Sequence, residues 1–331
     1  MTIRVLNGGL LTTVQDLGRY GAQKYGVIAS GAMDAYSLRV ANLLVGNQEN
    51  EGALEITLWG TSLSFERECM IAITGGDLLA VLDGEKAPTW RPLLVRKGSV
   101  LQFKSPVKGC RAYVAIAGGI AVPEVMGSKS TYLRAGIGGF RGRALQKNDV
   151  LMCGKSNQSN LSLWNALSKS DEDVPWAVNY EALVSLKQEQ LIRVIRGTDF
   201  DRFDTKSQTA FFSQPYHVTT HADRMGYRME GTALSLAAPD ELLSEGVTKG
   251  TVQVPPSGQP IILMADRQTT GGYPKIGQII SADLSTMAQL QPKAKVHFQE
   301  ISLEAAEREL LRKEQVIHEI KMGIRFKELY S

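Results

Sequence analysis

Short apolar runs, many of them β-branched and bounded by Gly, Pro, Asn or Asp, recur along the chain. They read as strands at residues 3–6, 71–74, 79–82, 100–103, 113–116, 191–196, 218–220 and 261–264. No helical pattern alternates with them. That argues against a doubly wound α/β sheet and for barrels or sandwiches, a mainly β fold with few helices. Two helices interrupt the pattern. After Asp34, a suitable N-cap, Leu38, Ala41, Leu44 and Val45 share one face and Gly46 supplies the stop. Near the C-terminus Ser302 can cap a helix with Glu304 and Glu307 in its first turns. Its stripe of Leu303, Ala306, Leu310, Ile317, Ile320 and Ile324 suits docking onto a barrel.

One stretch breaks the rhythm. Residues 155–175 hold Ser156, Ser159, Ser162, Ser168 and Ser170, the acidic cluster Asp171, Glu172 and Asp173, and then Pro175. This reads as a linker or surface excursion, dividing the chain into domains at 1–175 and 176–331. A length of 331 residues suits two domains. Strands running into Gly75-Gly76, Gly118-Gly119 and Gly271-Gly272 hint faintly at duplication, although Gly-Gly after a strand is a common turn.

Composition narrows the function classes. With 43% hydrophobic and 21% charged residues, the chain is neither disordered nor fibrous. A net charge of +3 is no footprint for nucleic acid or an anionic membrane. The 32 glycines fit many turns between short strands. Cys69, Cys110 and Cys153 form no CxxC and are odd in number, so they read as small buried residues in a reducing compartment. The start lacks a signal-peptide core, and the weakly polar run 112–122 is too short to span a membrane. A soluble, cytoplasmic protein is expected, with no membrane or nucleic-acid partner. The sequons at Asn157 and Asn160 are then coincidental.

Several candidate motifs fail on inspection. Gly154-Lys155-Ser156 lacks the earlier glycine of a P-loop. Residues 136–143 miss GxGxxG because Arg141 fills the last glycine position. Backbone nests beside arginines can hold anions, but tight-turn glycines are the plainer reading. His217 and His221 flank a strand-like segment without a third ligand, so no metal site is expected.

The densest chemistry lies in residues 250–274. An apolar strand delivers Asp266, Arg267, Gln268, Thr269, Thr270, Gly271, Gly272 and Tyr273, with Gln253 and Ser257 upstream. A carboxylate, a guanidinium, an amide, hydroxyls and two adjacent glycines suit a planar amide, urea or carboxyl-like substrate. Asp266 can accept from N–H or act as base, and Arg267 can clamp an anion bidentately. The amides of Gly271 and Gly272 can face an oxyanion. Arg224, in the block 223–228, adds a second anion-binding guanidinium. The same residues equally suit an Asp–Arg surface pair on a glycine-rich turn.

Longer blocks carry a resemblance. TTVQDLGRYG, GVIASGAMD, ALEITLWG, GCRAYVAIAGGIAVPEVMGSKSTYLRAGIGGFRGRAL, DRMGYRMEG and GTVQVPPSGQPIILMADRQTTGGYPKIGQIISAD resemble the biotin-dependent carboxyltransferase family. More narrowly they resemble its 5-oxoprolinase C-subunit type, also called allophanate hydrolase subunit 2 or KipA type. The likeness covers residues 10–298; Thr61 stands where the pattern has proline. It implies two cyclophilin-like β-barrel domains with peripheral helices. It also implies one component of a 5-oxoprolinase that works with the B (KipI-type) and A subunits in opening 5-oxo-L-proline to L-glutamate with ATP hydrolysis. ATP, with Mg²⁺, would be shared with the partners, and no biotin would be attached to this chain. ATP would phosphorylate the lactam oxygen and water would open the ring. Asp266 and Arg267 would then be catalytic. Arg224, Gln253, Ser257, Gln268, Thr269, Gly271, Gly272 and Tyr273 would bind substrate, with Arg19, Ser30 and Asp34 lining the same cleft from the first domain. Two alternatives remain: a carboxyltransferase component for urea- or allophanate-like amides, and a regulatory protein that sequesters a kinase-inhibiting partner.

Overall fold

The computed structural model describes residues 2–168, 176–238 and 242–330. The chain forms two compact units. The first comprises Met1–Arg19, Ser30–Val184 and Gln315–Ser331; the second comprises Tyr20–Ala29 and Ser185–Glu314. The sequence boundary lies at 175, whereas the chain passes between units at Val184 and Ser185 and exchanges two further segments.

The first unit holds two antiparallel sheets. One has six strands in the order Val150–Met152, Thr2–Gly8, Thr61–Phe65, Val100–Phe103, Ala80–Leu82 and Glu85–Lys86. The other has five, in the order Leu11–Gln15, Ala53–Thr57, Lys108–Ile116, Cys69–Asp77 and Pro92–Val95. Both contribute to one apolar core, which includes Ile3, Val5, Phe65, Ile71, Ile73, Leu101, Val114 and Ile116. Burying such branched and aromatic side chains is the main force holding the sheets together. Thr61 Oγ1 shares a buried hydrogen bond with Thr12 Oγ1 at 2.7 Å.

The helix Ala35–Leu44 packs on the strands Cys69–Asp77 and Lys108–Ile116. Asp34 caps it as expected, accepting from Ser37 N at 3.0 Å and Ser37 Oγ at 2.6 Å. The linker reading needs correction. A helix, Gln158–Ser168, occupies much of that stretch. Asn157 and Asn160 cap each other's backbone N–H groups, the buried Asn160 amide reaches Val45 O, and Leu163 is buried. Ser170, Asp171, Glu172, Asp173 and Pro175 lie outside the described residues.

The second unit is a closed barrel. Its strand order is Glu189–Arg196, Lys275–Ile279, Thr251–Gln253, Ile261–Leu263, Gly226–Glu230, Tyr216–Val218 and Lys295–Glu300. Every ladder is antiparallel except the one that closes the ring, between Glu189–Arg196 and Lys295–Glu300. In the first of these strands Gln190, Ile192 and Val194 point inward and alternate with exposed or half-exposed neighbours, the period of two that a one-sided strand requires. In the core Phe211 stacks on Phe298, and Tyr216 packs at a tilt against both. The mainly β fold with peripheral helices is thus as expected.

The last helix runs Leu303–Tyr330, with Ser302 Oγ accepting from Ala305 N at 3.2 Å. Ile317 and Ile324 of its stripe are buried, while Leu303 is exposed. Among the described residues no helix is long and apolar enough to cross a membrane.

Candidate functional site

The strand Ile261–Leu263 ends in a tight turn. Asp266 N donates to Arg224 O at 2.7 Å and Arg267 N to Met264 O at 3.3 Å. Adjacent residues of that turn meet very different surroundings. The carboxylate of Asp266 accepts from Arg224 Nε and Nη2, each at 2.9 Å, and both side chains are buried. This is a fork-to-fork ion pair, the geometry in which guanidinium and carboxylate bind most specifically.

Arg267 instead enters a cavity of about 1160 Å³, whose lining belongs entirely to the second unit. Its guanidinium is half-buried. Nε lies 3.4 Å from Val247 O and Nη1 3.4 Å from Met264 O, both at the long limit for hydrogen bonds. Among the described residues no carboxylate pairs with it. Burial pushes its pKa down, with the nearby Tyr20 opposing. Lys24 and Lys249 also line the cavity, along with Thr248, Thr269 and Gln278, and Glu307 supplies an acidic side chain. A half-buried cation without a counterion is costly to keep, so this wall can accept an anion.

Gln278 sets one edge of the cavity. Its Oε1 accepts from Thr248 Oγ1 at 2.9 Å and Thr251 Oγ1 at 2.8 Å. Its Nε2 donates to Lys249 O at 2.9 Å and Ile279 O at 3.1 Å. The amide therefore uses its full hydrogen-bonding capacity to fix the Thr248–Thr251 turn. Gly250 has φ +89°, and a Cβ there would lie 2.8 Å from Gln278 Nε2, so only glycine fits that approach.

The other sequence candidates divide as follows. Thr269 lines the cavity. Gln268 and Ser257 are exposed and lie outside the cavity lining. Gln253 is buried, donates to Tyr273 O at 3.3 Å and lies against Gly271. Gly271 pairs with Glu245 in a short ribbon, Gly272 follows it near Leu242 O, and Tyr273 is exposed. Arg19, Ser30 and Asp34 are buried in the polypeptide interior. Arg19 donates to Val125 O and Ser130 O, Ser30 Oγ to Thr131 O, and Asp34 caps its helix.

Sequence reasoning missed Lys24, Lys249, Gln278 and Tyr20. They arrive from segments far apart in the chain, and only Lys249-Gly250, with its glycine before a strand, carried a local signal.

The failed motifs are occupied structurally. A Cβ on Gly138 would lie 2.1 Å from Ser130 O and one on Gly142 1.8 Å from Gly136 O, so that run is close-packed turn. Gly154 N pairs with Gly119 O. Burial raises the Cys69 thiol well above its usual value and pushes Cys153 up to about 11. Among the described residues no group of three His, Cys, Asp or Glu side chains could hold a metal.

Residues 25–300 match the family model described as carboxyltransferase domain, subdomain A and B. The chain belongs to the carboxyltransferase-domain family. It is 42% identical over 304 residues to the 5-oxoprolinase C subunit of Escherichia coli (strain K12), covering 92% of this chain and 93% of that protein. It is 34% identical to the urea amidolyase of Saccharomyces cerevisiae, covering 92% of this chain but 17% of that much longer protein. The crystal structure of the Kluyveromyces lactis urea carboxylase superposes with a TM-score of 0.85 at 29% identity, over 98% of this chain and 29% of that one. This carboxyltransferase-domain chain thus corresponds to a near full-length subunit in one relative and to one segment of a multidomain enzyme in the others.

Proposed function

We propose that the chain is a subunit of an ATP-dependent 5-oxoprolinase and that its barrel cavity holds the carboxylate of 5-oxo-L-proline at Arg267. The observation that carries this reading is a half-buried guanidinium without an acidic partner in a roomy cavity. 5-Oxoproline offers a carboxylate for that cation and a lactam N–H and C=O for the polar groups around it. The relative named as the C subunit of 5-oxoprolinase supports the assignment.

Arg267 orients the carboxylate. Thr248, Thr269 and Lys249 provide donors for the remaining polar edge. Gln278 acts one step back, by holding Thr248 and Lys249. The cavity's donor set fits an anion, but the described residues hold no carboxylate cluster suited to Mg²⁺. ATP and its metal would be shared with the A-type and B-type partners.

The relatives named urea amidolyase and urea carboxylase support a second reading, carboxyl transfer to an amide. Urea is uncharged and leaves Arg267 without a counterion, whereas allophanate is an anion and would satisfy it. Reconstitution discriminates the two. The three subunits together should release glutamate from 5-oxoproline and ATP, and omission of this chain should abolish release. Release that continues without this chain, or turnover of urea with a biotinylated carrier in its place, would defeat the first reading.

A further inference from the structure

Beside the cavity three ionisable side chains meet. Lys275 is buried on its barrel strand, and its Nζ lies 3.0 Å from Asp199 Oδ2 and 3.0 Å from Glu245 Oε2. Asp199 is also buried. Its Oδ2 accepts from Lys275 N at 2.9 Å, and its Oδ1 lies 3.7 Å from Arg202 Nε. Glu245 differs from both. It is exposed and sits on the strand Glu245–Gly246, which pairs with Thr270–Gly271.

A ribbon two residues long on each side is too short to hold its own shape. Yet this ribbon helps to wall the cavity: Gly246, Val247, Thr269 and Thr270 line it. Val247 N donates to Thr269 O at 3.0 Å, and Val247 O accepts from Arg267 Nε at 3.4 Å. The Thr270–Gly271 strand is propped by the barrel, since a Cβ on Gly271 would lie 2.5 Å from Gln253 Nε2. The Glu245–Gly246 strand is tied to the barrel by the Glu245–Lys275 ion pair.

We infer that Glu245 and Lys275 are positioning residues for the anion site: their ion pair holds the ribbon in the place from which Val247 orients Arg267. The inference rests on the proposed function only in taking Arg267 as the carboxylate clamp. Asp199 already balances the buried ammonium, so Glu245 is spare for charge neutrality and free to serve the ribbon. Because Glu245 is exposed, the tie is screened by salt.

Glu245→Gln is the clean variant, because Lys275 keeps Asp199 and the barrel keeps its buried pair. Amide hydrogen exchange is read on the full chain, with Ile279, bonded to Gly250 O, as the control. At low salt the variant should exchange at Val247 roughly three- to fivefold faster than wild type, the size expected of one partly exposed ion pair. Ile279 should be unchanged, and the difference should shrink at high salt. In the reconstituted complex KM for 5-oxoproline should rise by a similar factor with kcat retained, and Glu245→Asp should recover part of it. Unchanged Val247 exchange overturns the inference. So does faster exchange with an unmoved KM where Arg267→Ala does raise KM. If Arg267→Ala leaves KM unmoved, the carboxylate reading has failed, and the exchange data alone decide whether the pair holds the ribbon.

Discussion

Asp266 and Arg224 bind each other fork to fork inside the second unit, both contacts at 2.9 Å, while the adjacent Arg267 turns into the cavity. One turn thus separates a structural guanidinium–carboxylate pair from a cation available to a ligand. Removing one partner strands the other's charge in a poorly solvated place. Asp266→Asn or Arg224→Met should each lower folding stability by about 3–5 kcal/mol, and the double variant Asp266→Leu with Arg224→Met should recover much of it. Denaturant midpoints measure this. An Asp266→Asn protein of wild-type stability with abolished turnover would return Asp266 to a proton-transfer role.

Gln278 is the second structural residue of the cavity. Gln278→Ala removes the Gln278 contacts of the Lys249 carbonyl and of the Thr248 and Thr251 hydroxyls, which keep each other at 3.3 Å. The expected cost is about 1 kcal/mol, because hydrogen bonds are lost at the buried Thr251 and half-buried Lys249 while water can reach the exposed Thr248. KM for 5-oxoproline should rise with it, since Thr248 and Lys249 lose their fixed position. Gln278→Glu should behave similarly, because a carboxylate cannot donate to Lys249 O or Ile279 O. Wild-type kinetics with either variant would remove Gln278 from the site.

The first unit offers a pH test. Arg143 donates to both Asp149 oxygens at 2.7 Å, and this contact, with Gln146 N, holds the Asp149 pKa below the ordinary carboxylate value despite burial. A depressed pKa means the folded state binds the proton less readily than the unfolded chain. Its stabilisation is therefore fully present above about pH 4 and is lost as pH falls below that. Asp149→Asn should be less stable than wild type at neutral pH, and the gap should close on acidification below about pH 4. A gap that stays constant through that range would contradict the assignment.

Much of this architecture was legible in the residues. The strand Val100–Phe103 and the helix between Asp34 and Gly46 declared themselves by period and cap, and Ser302 marked the last helix. The helix Gln158–Ser168 did not, because its start depends on a reciprocal Asn157–Asn160 cap and its serines look like linker. At the site, Arg267 and Thr269 stood out within one polar block. That Asp266 would choose Arg224 was hidden, because a turn decides which way neighbours point. Lys24, Lys249 and Gln278 were hidden for another reason: they come from separate segments, and for Lys249 and Gln278 the pairing of the strands Thr251–Gln253 and Lys275–Ile279, not local sequence, brings them to one wall. Lys275 gave no local signal, because Asp199 and Glu245 come to it from distant parts of the chain.

The most direct test is the dependence of glutamate release on 5-oxoproline concentration in the reconstituted complex carrying Arg267→Ala. Loss of a charge-assisted contact to the substrate carboxylate should raise KM roughly 10- to 100-fold, with Arg267→Lys in between. Saturation curves for Arg267→Ala that overlay those of the wild type would contradict the account.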